Sequence, residues 1–193
     1  MNFKKIVISA FAGVSMLTAF VGAAPAAQVE LNIYGASAQY LYWNAEAPLI
    51  LANQGCTNIQ QATKDSKNAI TKATCGSDTL IYRVSSKASY DGPSALLGDD
   101  HFATVGINAE KCSAGDPGDP GASLRPYYRK MVDETSCSTW GTAAAPASAG
   151  CTALKCVRVT LGVSDVAAQS FTQFQAWPEK IITAIMRGRL VMV

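Results

Sequence analysis

Val29-Glu30-Leu31-Asn32-Ile33-Tyr34-Gly35-Ala36-Ser37-Ala38 alternates apolar and polar side chains over its first six residues, then runs into four small ones. Alternation of period two predicts a half-buried strand over Val29–Tyr34. Tyr40, Leu41, Trp43, Ala47, Ile50 and Leu51 follow at near-helical spacing. Pro48 interrupts that pattern, so a kink or restart is expected there, and Asn53-Gln54-Gly55 predicts the stop. The unit is strand, tight small-residue loop, helix.

The same grammar recurs twice. Thr79–Val84 (TLIYRV) is rich in β-formers and predicts a second strand. The polar, small-residue run from Ser85 to Gly92 follows it, and Pro93 suits the first turn of a short helix toward Leu97. Cys156–Leu161 (CVRVTL) predicts a third strand, ended by Gly162-Val163-Ser164-Asp165. A helix is expected from Val166 to Phe174, capped by Ser164 or Asp165. Between the repeats, Asn58–Ser77 is polar and bounded by Cys56 and Cys75, which predicts a pinned helix or loop.

Residues from Asp99 to Lys155 read as a surface excursion. They hold a doubled turn signal, Asp116-Pro117-Gly118-Asp119-Pro120-Gly121, and an Ala/Pro/Ser-rich run from Thr142 to Gly150. Arg125–Asp133 (RPYYRKMVD) is expected to form a helix within it.

The N-terminus reads as an export signal. Lys4 and Lys5 precede an uncharged apolar run, Ile6–Val21, and Ala24-Pro25-Ala26 fits a small-residue cleavage site. The run is shorter than the roughly 20 residues of a membrane-spanning helix, and no later segment is long and apolar enough. Loss of residues 1–26 would remove two lysines and take the net charge from +2 to neutral. A periplasmic or secreted location is expected.

The six cysteines, Cys56, Cys75, Cys112, Cys137, Cys151 and Cys156, all follow the signal. An even count in an oxidising compartment predicts disulfides, and six cysteines allow about 15 connectivities. Pairing of sequence neighbours would give 56–75, 112–137 and 151–156. No C-x-x-C occurs and His101 is the only histidine, which argues against zinc and covalent haem. No cofactor is expected.

Composition and motifs exclude several classes. Hydrophobic residues at 49% with charged residues at 16% exclude a disordered chain. The small net charge argues against a nucleic-acid partner. No nucleophile elbow, Walker A or dinucleotide fingerprint occurs. A Ser-His-Asp triad would have to use His101 beside Asp99 and Asp100. Those two with Asp116 and Asp119 do not match an EF-hand spacing and read as turn residues. No enzyme is expected.

Three strands each ending in a Ser/Gly/Ala-rich loop before a helix suggest an oxyanion pocket. Ligands of open α/β sheets bind outside the carboxyl ends of the strands, where small side chains let backbone amides approach. Ser37, Ser86 and Ser89 are candidate donors. Asp165 would repel an anion unless the ligand carries a proton; hydrogen phosphate can donate to it, whereas sulfate cannot.

Leu31–Ala38, Tyr82–Gly92 and Leu161–Asp165 resemble the three ligand motifs of phosphate-binding periplasmic proteins, members of the type II solute-binding superfamily that serve ABC importers. The last motif, similar to their "GASD", is the most specific. The resemblance covers about residues 29–98 and 156–174. It implies an α/β fold, the N-terminal lobe of a periplasmic-binding-protein-like domain, with a disulfide-stapled insertion at about 99–155. It also implies that Ala38, Gln39, Tyr40, Ser89 or its neighbour Ala88, and Asp165 contact phosphate or a similar protonated oxyanion, beside the loop donors Ser37 and Ser86, and that ABC-transporter membrane subunits are the partners.

Two departures stand out. Gln39 occupies the place of a family Ser or Thr, and the excursion separates motifs that the family keeps close. Nothing after Phe174 resembles the second lobe. Residues 175–193 read as a divergent tail, and a truncated or shifted reading frame is the expectation there. The runner-up expectation is an extracellular structural or interaction protein reusing the lobe, for which Tyr127-Tyr128 are candidate contacts.

Overall fold

A computed structural model describes residues 26–98, 110–165 and 190–192. The elements are β1 (Gln28–Gly35), α1 (Ser37–Asn53), β2 (Thr57–Asp65), β3 (Asn68–Cys75), β4 (Asp78–Ser86), α2 (Asp91–Leu97), β5 (Tyr128–Val132), β6 (Leu154–Arg158), β7 (Leu161–Ser164) and β8 (Leu190–Met192). Six strands form one mixed sheet in the order β2-β3-β4-β1-β7-β8, and β5 pairs with β6 in a second sheet. β4, β1, β7 and β8 are parallel, whereas β2, β3 and β4 run as an antiparallel meander. The architecture is mixed α/β, as expected.

Strand alternation sorts β1 between two layers. Leu31 and Ile33 face α1, where they pack with Tyr40, Ala47, Leu51, Tyr82, Val84 and Val163. Tyr34, from the other face, packs with Ala95 of α2 and with Met131, Val157 and Val159 around the β5–β6 pair. Farther along that face, Ile70 and Ile81 pack on Val132 and Cys151. The described part of the excursion therefore covers one face of the sheet, with Met131, Val132 and Cys151 packed inward, rather than standing off as a surface loop.

α1 continues through Pro48. Proline lacks the N–H that would bond the carbonyl four residues earlier. That carbonyl, on Asn44, instead accepts from Nε2 of buried Gln61 at 2.7 Å. The helix stops where expected, with Gly55 at φ +77° and the Cys56 amide returning to the Leu51 carbonyl at 3.0 Å.

Several expectations are corrected. Asn58–Ser77 is not a helix or loop but most of the β2–β3 hairpin. Its polar strand β2 would be a bare edge. The Ala/Pro/Ser run covers that edge, with Gly141 bridging Gln61 and Ala147 bridging Ala62. Arg125–Asp133 is not a helix but a 3-10 turn, Arg125–Tyr127, followed by β5. CVRVTL is not one strand: β6 belongs to the small sheet and β7 to the large one, with the break at Val159 and Thr160.

The cysteines pair 56–75, 112–156 and 137–151. The first matches the expectation, and the 112–137 and 151–156 pairings are corrected. Cys137 and Cys151 face each other in an antiparallel bridge, nested inside the longer link. Part of the tail also has a place, since Leu190–Met192 pair in parallel with β7. The export signal expected over residues 1–26 (all but Ala26), Asp99, Asp100, His101 and the helix expected at 166–174 lie outside the described residues. Among the described residues no helix is long and apolar enough to cross a membrane.

Candidate functional site

From β1 the chain goes through α1 and the β2–β3 hairpin to β4 on one side, and later returns to β7 on the other. The strand order thus reverses at β1, and the crevice beyond its carboxyl end is where an open α/β sheet binds ligands. All three small-residue loops reach that end.

Glycines let the backbones close there. A Cβ on Gly35, at φ +145°, would lie 2.0 Å from the Val163 carbonyl oxygen. A Cβ on Gly162 would lie 2.6 Å from the Gly92 carbonyl oxygen, so the glycine of the third motif is required by its contact with α2. The Ala36 amide donates to the Val163 carbonyl at 3.1 Å, and the Lys87 amide to the Gly35 carbonyl at 2.8 Å.

Side chains then tie each loop to another. Ser37 Oγ donates to the Lys87 carbonyl at 2.9 Å, joining the first loop to the second. Gln39 Nε2 donates to the Ser164 carbonyl at 2.9 Å, joining the first to the third. Ser89 Oγ donates to Asp165 Oδ1, joining the second to the third. Ser37, Ala38 and Asp165 are exposed, and Gln39 and Ser89 are half-buried.

Two candidates sit differently from the expectation. The Tyr40 side chain lies in the core under α1, not in the crevice. Its burial, with the charge of Asp65 adding to it, pushes the phenol up to about 12. Ser86 is 2% exposed and pairs in register with Gly35. Among the described residues its hydroxyl has no hydrogen-bond partner, so it is a buried donor one strand away from the start of α1. Gln39 is a strut, because its amide oxygen also accepts from Trp43 Nε1 at 3.1 Å.

Beside the second loop lies a group that the sequence did not point to. Glu110 accepts from Tyr34 Oη at 2.9 Å. Burial holds its carboxyl above the usual range, while the Tyr34 bond and the charge of Lys87 pull the other way. Glu110 comes from the excursion and has no motif around it, so only the folded packing reveals it. Asp116 and Asp119 are turn residues, as expected. Asp119 takes a two-pronged bond from Arg125 at 2.7 and 2.8 Å, which holds its carboxyl far below the usual range. Among the described residues no cluster of His, Cys, Asp or Glu could hold a metal.

At the start of α1 the Ala36 and Gln39 amides are taken by the Val163 and Ala36 carbonyls at 3.1 and 3.2 Å, so the arrangement offers an anion the amides of Ser37 and Ala38. The Ser86 hydroxyl lies near, and Asp165 stands at the rim as an acceptor. No family model, curated protein or solved structure matches the chain.

Proposed function

We propose that this chain is an exported binding protein, or one lobe of it, for a phosphate-like oxyanion that still carries a proton. Such a protein would deliver its ligand to the membrane subunits of an importer. One observation carries the reading. The loops after β1, β4 and β7 meet at the strand-order reversal, with Ser37, Gln39, Ser89 and Asp165 each bonded to a neighbouring loop. An incoming hydrogen phosphate would accept from the α1 amides and donate its proton to Asp165, taking the place of the Ser89 bond. The three disulfides fit an oxidising compartment outside the cytosol.

Calorimetric titration of the purified, oxidised protein tests this. Phosphate should bind about tenfold or more tightly than sulfate, because hydrogen phosphate can donate to the Asp165 carboxylate whereas sulfate sets acceptor against acceptor there. Asp165→Asn should narrow that gap, since the amide can donate to sulfate. No heat with either anion removes the proposal.

A second reading, an extracellular interaction protein, has one observation in its favour. The outer face of α1 is apolar, with Leu41 75% exposed, Tyr42 57% and Leu49 58%. A protein that binds neither anion, self-associates in sedimentation and becomes monomeric as Leu41→Glu would favour it.

A further inference from the structure

A cavity of about 310 Å3 lies on the excursion side of the sheet, lined by Leu96, Tyr127, Arg158, Val159 and Thr160. Thr160 precedes Leu161, the first residue of β7, so this cavity sits toward the amino end of that strand. The oxyanion crevice is at the opposite, carboxyl end.

Its walls are held rigidly. The Val159 amide donates to the Tyr127 carbonyl at 3.1 Å. Thr160 Oγ1 accepts from the Asn32 amide at 2.7 Å and donates to the Asn32 carbonyl at 3.2 Å, so its hydroxyl is already used. Asn32 Nδ2 donates to the Arg158 carbonyl at 3.0 Å, which fixes the backbone from which the Arg158 side chain departs. Leu96, Val159 and the Tyr127 ring supply the apolar part of the lining.

Arg158 differs from the other described arginines. Arg83 has a Glu30 oxygen at 2.9 Å, Arg125 an Asp119 oxygen at 2.7 Å and Arg129 an Asp91 oxygen at 3.1 Å. The Arg158 guanidinium has no ion pair and no hydrogen bond among the described residues, yet it lines a cavity. A neighbouring hollow shares Arg158 and Thr160, but its carboxylate and ammonium groups, Glu30 and Lys155, are already paired with Arg83 and Glu134. Arg158 is exposed and borders both hollows, and among the described residues the first holds no other charged group.

We infer that this cavity is a second binding site, for a small organic carboxylate whose apolar or aromatic body enters between Leu96, Tyr127 and Val159 while its carboxylate is held by Arg158. A guanidinium matches a carboxylate with two parallel N–H bonds, a geometry that a lysine cannot reproduce. The volume is at the small end of ligand sites, which limits the ligand to one ring or a branched chain.

Benzoate and the neutral benzyl alcohol are suitable probes. They are titrated into the oxidised protein while amide chemical shifts are followed by NMR. Benzoate should shift the signals of Tyr127, Arg158 and Thr160, and benzyl alcohol should bind about tenfold more weakly, the usual worth of a charged hydrogen bond. Arg158→Gln should weaken benzoate about tenfold, and Arg158→Lys should recover only part of that. Saturating phosphate should leave the benzoate affinity unchanged. Equal binding of the two probes, no shifts at those three residues, or full benzoate affinity in Arg158→Gln would each overturn the inference. The shift map on the unaltered protein stands even where a variant folds poorly.

Discussion

The two faces of the sheet are covered in opposite ways. On one, α1 lies over Ile33, Tyr82, Val84 and Val163 and seals them with Tyr40, Ala47 and Leu51. On the other, the excursion buries Arg83, Arg129, Asp91 and Asn32 and carries two of the three disulfides. The difference follows from backbone chemistry. A helix satisfies its own amides and carbonyls, so side-chain burial is enough to seal it onto a sheet. An irregular cover brings carbonyls that no ladder uses. Arg83 Nε donates to the Val132 carbonyl at 2.8 Å, and Arg129 Nη1 to those of Pro126 and Tyr128 at 3.0 and 2.8 Å. The buried arginines serve the backbone of the excursion, and Glu30, Glu134 and Asp91 balance their charge.

The largest effect is therefore expected on the polar face. Arg83→Ala removes the guanidinium that balances Glu30 and Glu134, leaves Asn32 Oδ1 and the Val132 carbonyl without their donor, and should cost about 3–5 kcal/mol. Denaturant unfolding measures it. A cost near that of a surface substitution would mean that the excursion is not held through Arg83, and the contrast between the faces would fail.

On the apolar face the cost should come from volume alone. Leu51→Ala removes a side chain that is 4% exposed and should cost about 2–3 kcal/mol, in the lower part of the usual range because it sits in the last turn of α1, where neighbours can close in. Being uncharged, this loss should be the same at every pH at which the protein is folded. A pH-dependent loss would show that the apolar face leans on the ionic one.

This contrast also explains what the sequence made legible. β1, α1, β4 and α2 carry local signals, namely alternation, helical spacing, a Gly55 stop and Pro93 in a first turn, and all four are present. The hairpin β2–β3 carries none, because its strand residues Gln60, Gln61 and Lys64 are polar. Gln61 is nevertheless buried, its side chain bonded to Asn44 and its backbone to Gly141 and Ala147. Such partners come from distant sequence, and no window of neighbours contains them. The same holds for the cysteines, since nearest-neighbour pairing fails where one link encloses another. Of the site, the three loops and the Ser89–Asp165 meeting are foreshadowed by the motifs. The strut role of Gln39 and the inward turn of Tyr40 depend on where Trp43 and the core fall, which spacing along one helix does not determine.

The smallest and most discriminating difference lies in pH dependence. Burial would raise the Glu134 carboxyl, but bonds from Lys155 and Arg83 outweigh it and hold the group at about 2. An unfolded glutamate titrates near about 4.3. The folded value is the lower one, so Glu134 contributes stability above that pH and loses it as the pH falls toward about 2. Tyr40, across the sheet, is opposite in sense. Its folded value of about 12 lies above the ordinary 10.0, so its contribution is complete below pH 10 and is lost as the pH rises toward 12. Glu134→Gln should flatten the acid limb of the stability curve and leave the alkaline limb alone, and Tyr40→Phe should do the reverse. Urea midpoints across both limbs, read for the two variants and the double variant, test the pair. Additive effects would mean that each face titrates independently through a rigid sheet, whereas a change of both limbs by either variant would mean that the two layers are coupled through it.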